Sequence, residues 1–458
     1  MNITVIGVGY LGAVHAACLA DLGHKVLGVD SRAERIAGLA RGEAPFFEPG
    51  LADLLKRGIG SGMLSFGTSL ARAAAFGDVH FICVGTPQLP GSLAADTMQV
   101  MAVVEGLAPN LRRACLVVGK STVPVGTATG LAATLAELAP AGSAAELAWN
   151  PEFLREGLAV RDTLRPDRLV VGVTSDRAND ILRSVYAPLI DAGTPYVRTD
   201  LSTAELAKAS ANAFLATKIS FINAMADLCE AAGADVVTLA EVLGYDPRIA
   251  SGGLAAGLGF GGGCLPKDLR ALLARGAELG VSDSLRFLHQ VDLVNSGRRE
   301  LVVDLTKRLI GRSLHSARVA VLGAAFKPGT DDVRDSPALA VAASLHSGGA
   351  AVRVHDPRAG DNARKAAPHL DYVEDIRELC EDADIVLHLT EWPQYRTIDP
   401  FELRAVVRRP ALIDARNALP HRRWREAGWT VKGLGTTGHE AAVADQTRRH
   451  VQEKACES

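Results

Sequence analysis

The sequence lacks long apolar runs, closely spaced cysteine pairs and any marked excess of one charge. No hydrophobic stretch approaches the roughly 20 residues that a helix needs to cross a bilayer, and the chain starts on a strand-like segment instead of a basic, apolar leader. The 7 cysteines include no Cys-x-x-Cys pair, and the 12 histidines show no metal-ligand spacing. We therefore expect a cytoplasmic protein without a membrane span, a disulfide framework or a metal site.

Charge and length narrow the class of protein further. A formal net charge of -3 gives no basic surface for nucleic acid and favours small-molecule chemistry. The composition, 48% hydrophobic and 22% charged, is that of an ordinary globular protein. At 458 residues the chain exceeds one ordinary hydrophobic core, so we expect two or three domains.

A glycine-rich turn lies between the first predicted strand and the first predicted helix, at 13–22. The turn reads Gly7-Val8-Gly9-Tyr10-Leu11-Gly12. Its G-x-G-x-x-G spacing is typical of a loop that holds a pyrophosphate at a helix N-terminus. Asp30 directly follows the next predicted strand, at 25–29. It lies about 20 residues after the glycines, at the position where a carboxylate binds a ribose 2′-OH. This context predicts a Rossmann domain that binds NAD in preference to NADP, although Arg32 and Arg35 lie nearby.

Further strands of the same sheet are predicted, and each is followed by a polar loop. These loops lie at 85–87, 121–127 and 149–157. Ligands of an open parallel sheet bind outside the carboxyl ends of its strands, so we expect these loops to line the cofactor cleft. Glu152 and Glu156 in the third loop are spaced like exposed acids at a helix start. Their position at a strand end favours a functional role instead.

The middle of the chain has helical periodicity, at 203–233, 269–279 and 285–310. Lys208 and Asn212 share one stripe of the first helix among small and apolar neighbours, which favours a buried polar pair over a solvated face. Helical regions between nucleotide-binding domains commonly form dimers, so we expect a homodimer.

A lone thiol lies in a glycine-rich segment ahead of the second of these helices. The segment reads Gly259-Phe260-Gly261-Gly262-Gly263-Cys264-Leu265-Pro266-Lys267-Asp268. Pro266 suits the first turn of a helix, and Asp268 follows Cys264 by one turn, so thiol and carboxylate can share a face. An inert buried cysteine in a flexible loop is the alternative, and the segment alone leaves both open.

A second α/β pattern fills the last part of the chain. Its predicted strands lie at 318–323, 351–355, 385–389 and 411–414, with strand-end loops at 326–337 and 414–417. The predicted fold is therefore α/β, with two doubly wound Rossmann-like domains joined by an all-helical region. The predicted domains are 1–200, 201–310 and 311–438, followed by a polar, mobile tail at 439–458.

Taken together, these motifs resemble the UDP-glucose/GDP-mannose dehydrogenase family, in order and over nearly the whole chain. The motifs are Gly-x-Gly-x-x-Gly, Gly-Thr-Pro, Ser-Thr-Val-Pro-x-Gly-Thr, Asn-Pro-Glu-Phe-Leu-Arg-Glu-Gly, Gly-Phe-Gly-Gly-x-Cys-Leu-Pro-Lys-Asp and Phe-Lys-Pro-Gly-Thr-Asp-Asp. The resemblance implies a dimer that uses NAD to oxidise the C6 alcohol of a nucleotide sugar to a carboxylate. UDP-glucose is the expected substrate, because the histidine that usually precedes the cysteine in N-acetylmannosamine relatives is absent.

The resemblance also implies roles for individual residues. The catalytic set is Cys264 as nucleophile, Lys208 and Asn212 as oxyanion hole, Asp268 as general base, Thr122 to position water and Glu152 to assist thioester hydrolysis. The cofactor set is Gly7, Val8, Gly9, Tyr10, Leu11, Gly12, Asp30, Arg35, Val84, Gly85, Thr86, Ser121, Thr122, Glu156, Lys267 and Arg334. The substrate set is Glu152, Phe153, Leu154, Arg155, Lys208, Asn212, Arg248, Phe260, Gly261, Cys264, Phe326, Lys327 and Arg416, with Arg248 reaching across the dimer.

The sequence departs from the family pattern near the thiol and after Arg248. Gly263 replaces the usual serine, and Ala250 and Gly253 replace a usual glycine and aromatic residue. The missing aromatic wall leaves GDP-mannose and dTDP-glucose open as substrates. Two other functions also stay open, a two-electron hydroxyacid dehydrogenase that needs no thiol and a non-catalytic nucleotide-sensing dimer.

Overall fold

A computed structural model describes residues 1–436, so the predicted tail at 439–458 lies outside the described residues. The chain divides into two compact units. The first comprises Met1–Phe214, Gly263–His289 and Gly329–Asp331, and the second comprises Leu215–Gly262, Gln290–Pro328 and the described residues from Asp332 onward. Within this described part, no helix has the length and apolar character needed to cross a membrane.

The first unit is built on a sheet of eight strands in the order β3-β2-β1-β4-β5-β6-β7-β8. The strands are β1 Asn2–Ile6, β2 Lys25–Val29, β3 Leu64–Gly67, β4 Val79–Ile82, β5 Cys115–Gly119, β6 Ala145–Trp149, β7 Leu169–Gly172 and β8 Tyr196–Thr199. All neighbours pair in parallel except β6 and β7. The central strands β4 and β5 are buried along their whole length, as expected when helices cover both faces of a parallel sheet.

Helices of the first unit connect these strands. They are α1 Tyr10–Asp21, α2 Ala33–Ala40, α3 Leu51–Gly60, α4 Leu70–Phe76, α5 Met98–Leu107, α6 Thr127–Leu138, α7 Ala159–Leu164, α8 Asp176–Val185 and α9 Ala187–Asp191. Apolar residues of both helices and strands form the cores on the two sides of the sheet. The order of the strands around β1 and β4 is that of a Rossmann domain, which confirms the predicted class of the first domain.

Four helices follow in the middle of the chain: α10 Leu201–Ala232, α11 Val236–Gly244, α12 Leu265–Glu278 and α13 Ser282–Ile310. The prediction that the second long helical stretch starts at residue 269 is wrong by four residues. Cys264 is the N-cap residue of α12 and Pro266 occupies its first turn, where the missing N–H of proline costs no hydrogen bond. The thiol therefore lies at the N-terminus of this helix.

The second unit contains a parallel sheet of six strands in the order β11-β10-β9-β12-β13-β14. The strands are β9 Arg318–Leu322, β10 Ala351–His355, β11 Asp371–Tyr372, β12 Ile385–His388, β13 Ala411–Asp414 and β14 Thr430–Gly433. The helices are α14 Pro337–Ser347, α15 Gly360–Ala366, α16 Ile376–Cys380, α17 Pro400–Arg404 and α18 His421–Glu426. This topology confirms the predicted second doubly wound domain.

The close packing of β5 against β6 leads to a test. A Cβ atom at Gly119 would lie 2.0 Å from the ring of Trp149, which is 1% exposed. We expect Gly119→Ala to lower the free energy of unfolding by about 1–3 kcal/mol, since a packed core resists overfilling. Urea unfolding followed by tryptophan fluorescence measures the change.

A second glycine provides the matched control. Gly130 lies in α6, and a Cβ atom there would meet no atom within 4 Å. Gly130→Ala is therefore expected to stabilise the protein, by up to about 1 kcal/mol. Equal stabilities of the two variants would contradict the packing of Trp149 on β5.

Candidate active site

The turn between β1 and α1 has the backbone of a pyrophosphate-binding loop. Gly7 has φ +88°, and a Cβ atom at Gly12 would lie 1.9 Å from the carbonyl oxygen of Gly7, so neither position accepts a side chain. The helix α1 starts immediately afterwards, and no side chain caps its N-terminus. The first-turn N–H groups of such a helix are available to an anion. These residues therefore fit the pyrophosphate of a dinucleotide.

Asp30 lies at the end of β2 beside this turn and is 8% exposed. Its carboxylate accepts hydrogen bonds from the backbone N–H groups of Val8 (3.2 Å) and Arg32 (3.0 Å), and from Nη1 of Arg35 (2.8 Å). Arg35 is thus paired with the carboxylate, and Asp30 stands where a ribose 2′-OH binds in Rossmann domains. This arrangement favours NAD, because a 2′-phosphate would face a carboxylate.

The predicted strand-end loops of the first unit meet one another and α12. Oγ1 of Thr86 donates to the carbonyl of Thr122 at 2.7 Å, and Oγ of Ser121 donates to the carbonyl of Val84 at 2.7 Å. Nζ of Lys267 lies 3.4 Å from Oγ1 of Thr86. The loops at the carboxyl ends of these parallel strands thus lie side by side in the structure, as the position of their strands predicts.

A cluster of charged and polar side chains lies around the N-terminal part of α12. Asp268 is 2% exposed and accepts hydrogen bonds from Nδ2 of Asn212 (2.7 Å) and Nζ of Lys267 (2.5 Å). Nζ of Lys208 lies 3.0 Å from Oε1 of Glu152. The backbone N–H of Asp268 donates to the carbonyl of Cys264 at 2.9 Å. Residues from α10, α12 and the loop after β6 therefore converge.

The electrostatics of this cluster keep the thiol protonated. Part of the Cys264 residue is exposed to solvent, but many protein atoms lie close to its thiol. The resulting loss of hydration, together with the charges of Glu152 and Asp268, raises the pKa of Cys264 to about 12. Lys208 opposes the shift. Burial acts to lower the pKa of Lys208, yet Glu152, Cys264 and Asp268 outweigh it and raise its pKa, so its ammonium group stays charged.

The remaining predicted substrate residues of the first unit lie in the loop after β6. The backbone N–H of Leu154 donates to Oε2 of Glu152 at 2.6 Å, which fixes that carboxylate. Nζ of Lys208 lies 5.7 Å from the centre of the Phe153 ring. Arg155 forms an ion pair with Asp162. Residues 150–158 form a loop after β6, as expected, and the alternative that Glu152 and Glu156 start a helix is not observed.

Seven predicted site residues belong to the second unit: Arg248, Phe260, Gly261, Phe326, Lys327, Arg334 and Arg416. Arg416 is largely buried, and its guanidinium donates to the carbonyls of Leu389 (2.8 Å), Gly259 (3.0 Å) and Phe326 (3.4 Å). The side chain of Arg248 is 87% exposed and pairs with Asp246. Arg416 thus joins the loops that carry Phe326 and Phe260.

Three buried polar residues of the first unit were missed by the sequence analysis as site residues. Glu48 accepts hydrogen bonds from the hydroxyl of Tyr10 and from the N–H of Gly157 (2.7 Å). Nζ of Lys120 donates to Oδ1 of Asn150 at 2.9 Å. Glu205 contacts the loop of Thr122. In the sequence, its position one turn before Lys208 on the same helical stripe is the feature that could have indicated a buried role.

All three parts of the chain match a family of known proteins. Family models of the UDP-glucose/GDP-mannose dehydrogenase family match the NAD binding domain at residues 1–190, the central domain at 202–297 and the UDP binding domain at 320–421. The chain belongs to this family. It is an NAD-dependent oxidoreductase, as the sequence predicted.

Individual relatives are similar over almost their whole length. The chain is 42% identical to a UDP-glucose 6-dehydrogenase of Rhizobium meliloti, covering 91% of this chain and 95% of the relative. It is 41% identical to one of Pseudomonas aeruginosa, covering 97% and 100%. A UDP-glucose dehydrogenase structure from Pyrobaculum islandicum superposes with a TM-score of 0.88 at 39% identity, covering 95% and 98%. These relatives do not support the hydroxyacid dehydrogenase or non-catalytic alternatives.

The ion pair of Asp30 with Arg35 predicts a change in cofactor preference. Asp30→Ala removes the partner of the ribose hydroxyl and releases Arg35 toward a 2′-phosphate. We expect kcat/KM for NAD to fall by about tenfold or more, the usual cost of a lost hydrogen bond to a charged group, and the NADP/NAD ratio to rise. Steady-state kinetics with both cofactors measure the ratio. The exposed carboxylate variant Asp53→Ala serves as control, and an unchanged ratio in Asp30→Ala would refute the assignment.

The raised pKa of Cys264 predicts a slow reaction with alkylating agents at neutral pH. Because only the thiolate reacts, the rate should rise about tenfold for each pH unit between 7 and 9 without a plateau. Mass spectrometry of the peptide carrying Cys264 after iodoacetamide treatment measures this rate, with Cys264→Ser as control. A plateau near pH 7 would mean that Lys208 dominates the electrostatics of the thiol.

Proposed function

We propose that this protein oxidises the C6 alcohol of UDP-glucose to a carboxylate, giving UDP-glucuronate, with two molecules of NAD reduced per sugar. The observation that carries the proposal is the thiol of Cys264 at the N-terminus of α12 within a cluster of Asp268, Asn212, Lys208 and Glu152. The UDP-glucose 6-dehydrogenase names of relatives at 42% and 41% identity support the same substrate.

The first oxidation yields an aldehyde, and the thiol prevents its escape. NAD, when bound, accepts the hydride in each oxidation. Sγ of Cys264 attacks the aldehyde carbon, and the proton of the thiol passes to the carboxylate of Asp268. Lys208 and Asn212 donate to the oxygen that becomes negative, which lowers the energy of the tetrahedral species. The proton then passes from Asp268 to this oxygen, which gives a neutral thiohemiacetal and restores the carboxylate of Asp268.

The second oxidation converts the thiohemiacetal to a thioester on Cys264, which water must cleave. Thr122 orients the water, and Asp268 accepts a proton from it as its oxygen attacks the acyl carbon. The carbon–sulfur bond then breaks and its electron pair returns to Sγ. Glu152 assists by holding the ammonium of Lys208 at 3.0 Å beside the developing oxyanion.

The nucleotide is assigned to the second unit, whose sheet carries the match to a UDP binding domain. Phe326 and Lys327 follow β9, so they lie at the carboxyl end of that strand, where ligands of doubly wound sheets bind. Arg416 holds the backbone of Phe326 and Gly259. Its contribution to nucleotide binding is therefore to fix these loops as well as to present charge.

We further propose a cytoplasmic homodimer, with domain divisions near residues 200 and 310. Large apolar side chains are exposed on α10 and after α11, including Phe214 (69%), Leu228 (59%) and Tyr245 (66%). Exposed apolar surface of this kind marks an association site. Arg248, 87% exposed, is free to reach a site of the partner once it leaves Asp246.

Counting reduced cofactor tests the proposed function. With limiting UDP-glucose and excess NAD, we expect two NADH per sugar, with UDP-glucuronate as the product. Cys264→Ser should make no acid, because an oxygen nucleophile forms a far poorer leaving group than sulfur. Absorbance at the NADH maximum and chromatography of the nucleotide sugars give both quantities.

The control and the alternatives use the same assay. Cys229→Ser changes a cysteine of the second unit that is buried and outside the proposed site, so its stoichiometry should stay at two. One NADH per sugar would reject the four-electron reaction. Faster oxidation of GDP-mannose or dTDP-glucose would reject UDP-glucose as the preferred substrate.

A further inference from the structure

The helix α6 receives its N-terminal cap from a distant residue. Its own N-cap residue, Gly126, has φ +95° and no side chain to cap the helix. The carboxylate of Glu205 accepts hydrogen bonds from the N–H groups of Gly126 (2.7 Å, Oε2) and Ala128 (2.6 Å, Oε1). Glu205 is 2% exposed. Both of its oxygens therefore serve one purpose, to hold the start of α6.

This cap joins the loop of Thr122 to the helix of Lys208. Residues 120–126 connect β5 to α6 and carry Thr122, and Glu205 lies one turn before Lys208 on α10. A carboxylate at a helix N-terminus is favoured by both hydrogen bonding and the helix dipole. Because the bonds are short and buried, a displacement of α10 or of the loop would break them. Glu205 thus sets the distance between Thr122 and the oxyanion-stabilising lysine.

A second anchor comes from the helix of the thiol. Nε of Arg275, on α12, donates to the carbonyl of Val125 at 2.9 Å. At the start of the loop, Oγ1 of Thr86 holds the carbonyl of Thr122. The loop is therefore fixed at one end by the loop after β4 and at the other by α12, the helix that also carries Asp268.

A small cavity lies between these anchors and the proposed general base. Its volume is about 20 Å³, and its lining includes Thr122, Glu205, Lys267, Asp268 and Arg275. A cavity of roughly 10–15 Å³ or more with polar partners is large enough for one water molecule. Thr122 and Asp268 therefore face one small space, which has room for a water molecule and whose lining does not include Cys264.

We propose that Glu205 is a positioning residue for thioester hydrolysis, which fixes the loop of Thr122 beside Asp268. The inference rests on the proposed function. In this step a water oxygen bonds to the acyl carbon, its proton passes to Asp268, the carbon–sulfur bond breaks and the electron pair returns to Sγ. No oxidant is consumed, so Glu205 acts after both hydride transfers.

The variant Glu205→Gln tests the inference. The amide turns an N–H₂ group toward one of the two backbone donors, so one hydrogen bond of the cap is replaced by a donor–donor contact with little change in volume. We expect kcat to fall about tenfold or more, since misplacement of a reacting group by an ångström can cost up to about 100-fold, while KM for NAD and UDP-glucose stays within about twofold. Intact-protein mass spectrometry after acid quench should show the sugar nucleotide bound as an ester to Cys264.

Accumulation of this ester distinguishes positioning from general loss of structure. Glu137→Gln removes the same charge from the exposed face of α6 and should leave kcat unchanged without an adduct. Thr122→Ala should accumulate the same ester, and the double variant with Glu205→Gln should be no slower than the slower single variant. If Glu205→Gln is slowed without an adduct, or is not slowed, the inference is wrong.

A further variant decides the matter if Glu205→Gln does not fold. Arg275→Met removes the other anchor of the loop and leaves the Glu205 carboxylate in place, so the ester should again accumulate, and its absence would overturn the inference. Failure of the proposed function is recognised separately. Wild-type protein that forms one NADH per sugar rejects both, whereas two NADH per sugar without any adduct in these variants rejects only the role of Glu205.

Discussion

The proposed catalytic cluster depends on one buried charge, the carboxylate of Asp268. At 2% exposure it is deprived of water, and an ionised group in such a place is stable only when donors surround it. Lys267 satisfies one oxygen and Asn212 the other. Since Asn212 belongs to α10 and Asp268 to α12, satisfying this charge fixes the two helices against each other. The same contact therefore serves both stability and the geometry of the site.

The charge balance around the thiol explains how it can be stored without side reactions. Loss of hydration and three carboxylates, Glu152, Asp268 and Glu156, raise the pKa of Cys264, while a single ammonium, Lys208, lowers it. A protonated thiol resists oxidation and alkylation. In the proposed mechanism one of these carboxylates, Asp268, also accepts the proton of the thiol once an electrophilic carbon is present. In this proposal, the attack of the thiol on the aldehyde depends on how the substrate is placed beside Asp268, and it does not require a thiolate before the substrate binds.

The sequence predicted those parts of the molecule that follow from local rules. The strand-end loops at 85–87 and 121–127 and the helical stripe of Lys208 and Asn212 depend on spacing within a short segment, and the structure brings them together. Glu48 and Glu205 were not predicted to be buried hydrogen-bond acceptors, because their partners are remote in sequence. Glu48 binds Gly157, 109 residues away, and Glu205 binds Gly126, 79 residues away. No local pattern distinguishes such a carboxylate from an exposed one, so only tertiary packing reveals it.

The two Rossmann units share one topology but match models of two different ligand-binding domains. Asp356 follows β10 as Asp30 follows β2, so the two acids are topological equivalents. Both acids accept hydrogen bonds from the turn after the first strand of their sheet: Asp30 from the N–H of Val8 (3.2 Å), and Asp356 from the N–H groups of Ala324 (2.8 Å) and Ala325 (2.9 Å). This acid is therefore common to both units and does not by itself distinguish their ligands. The difference between the NAD binding and UDP binding family models must then arise from other residues of the strand-end loops, because one fold can host different sites.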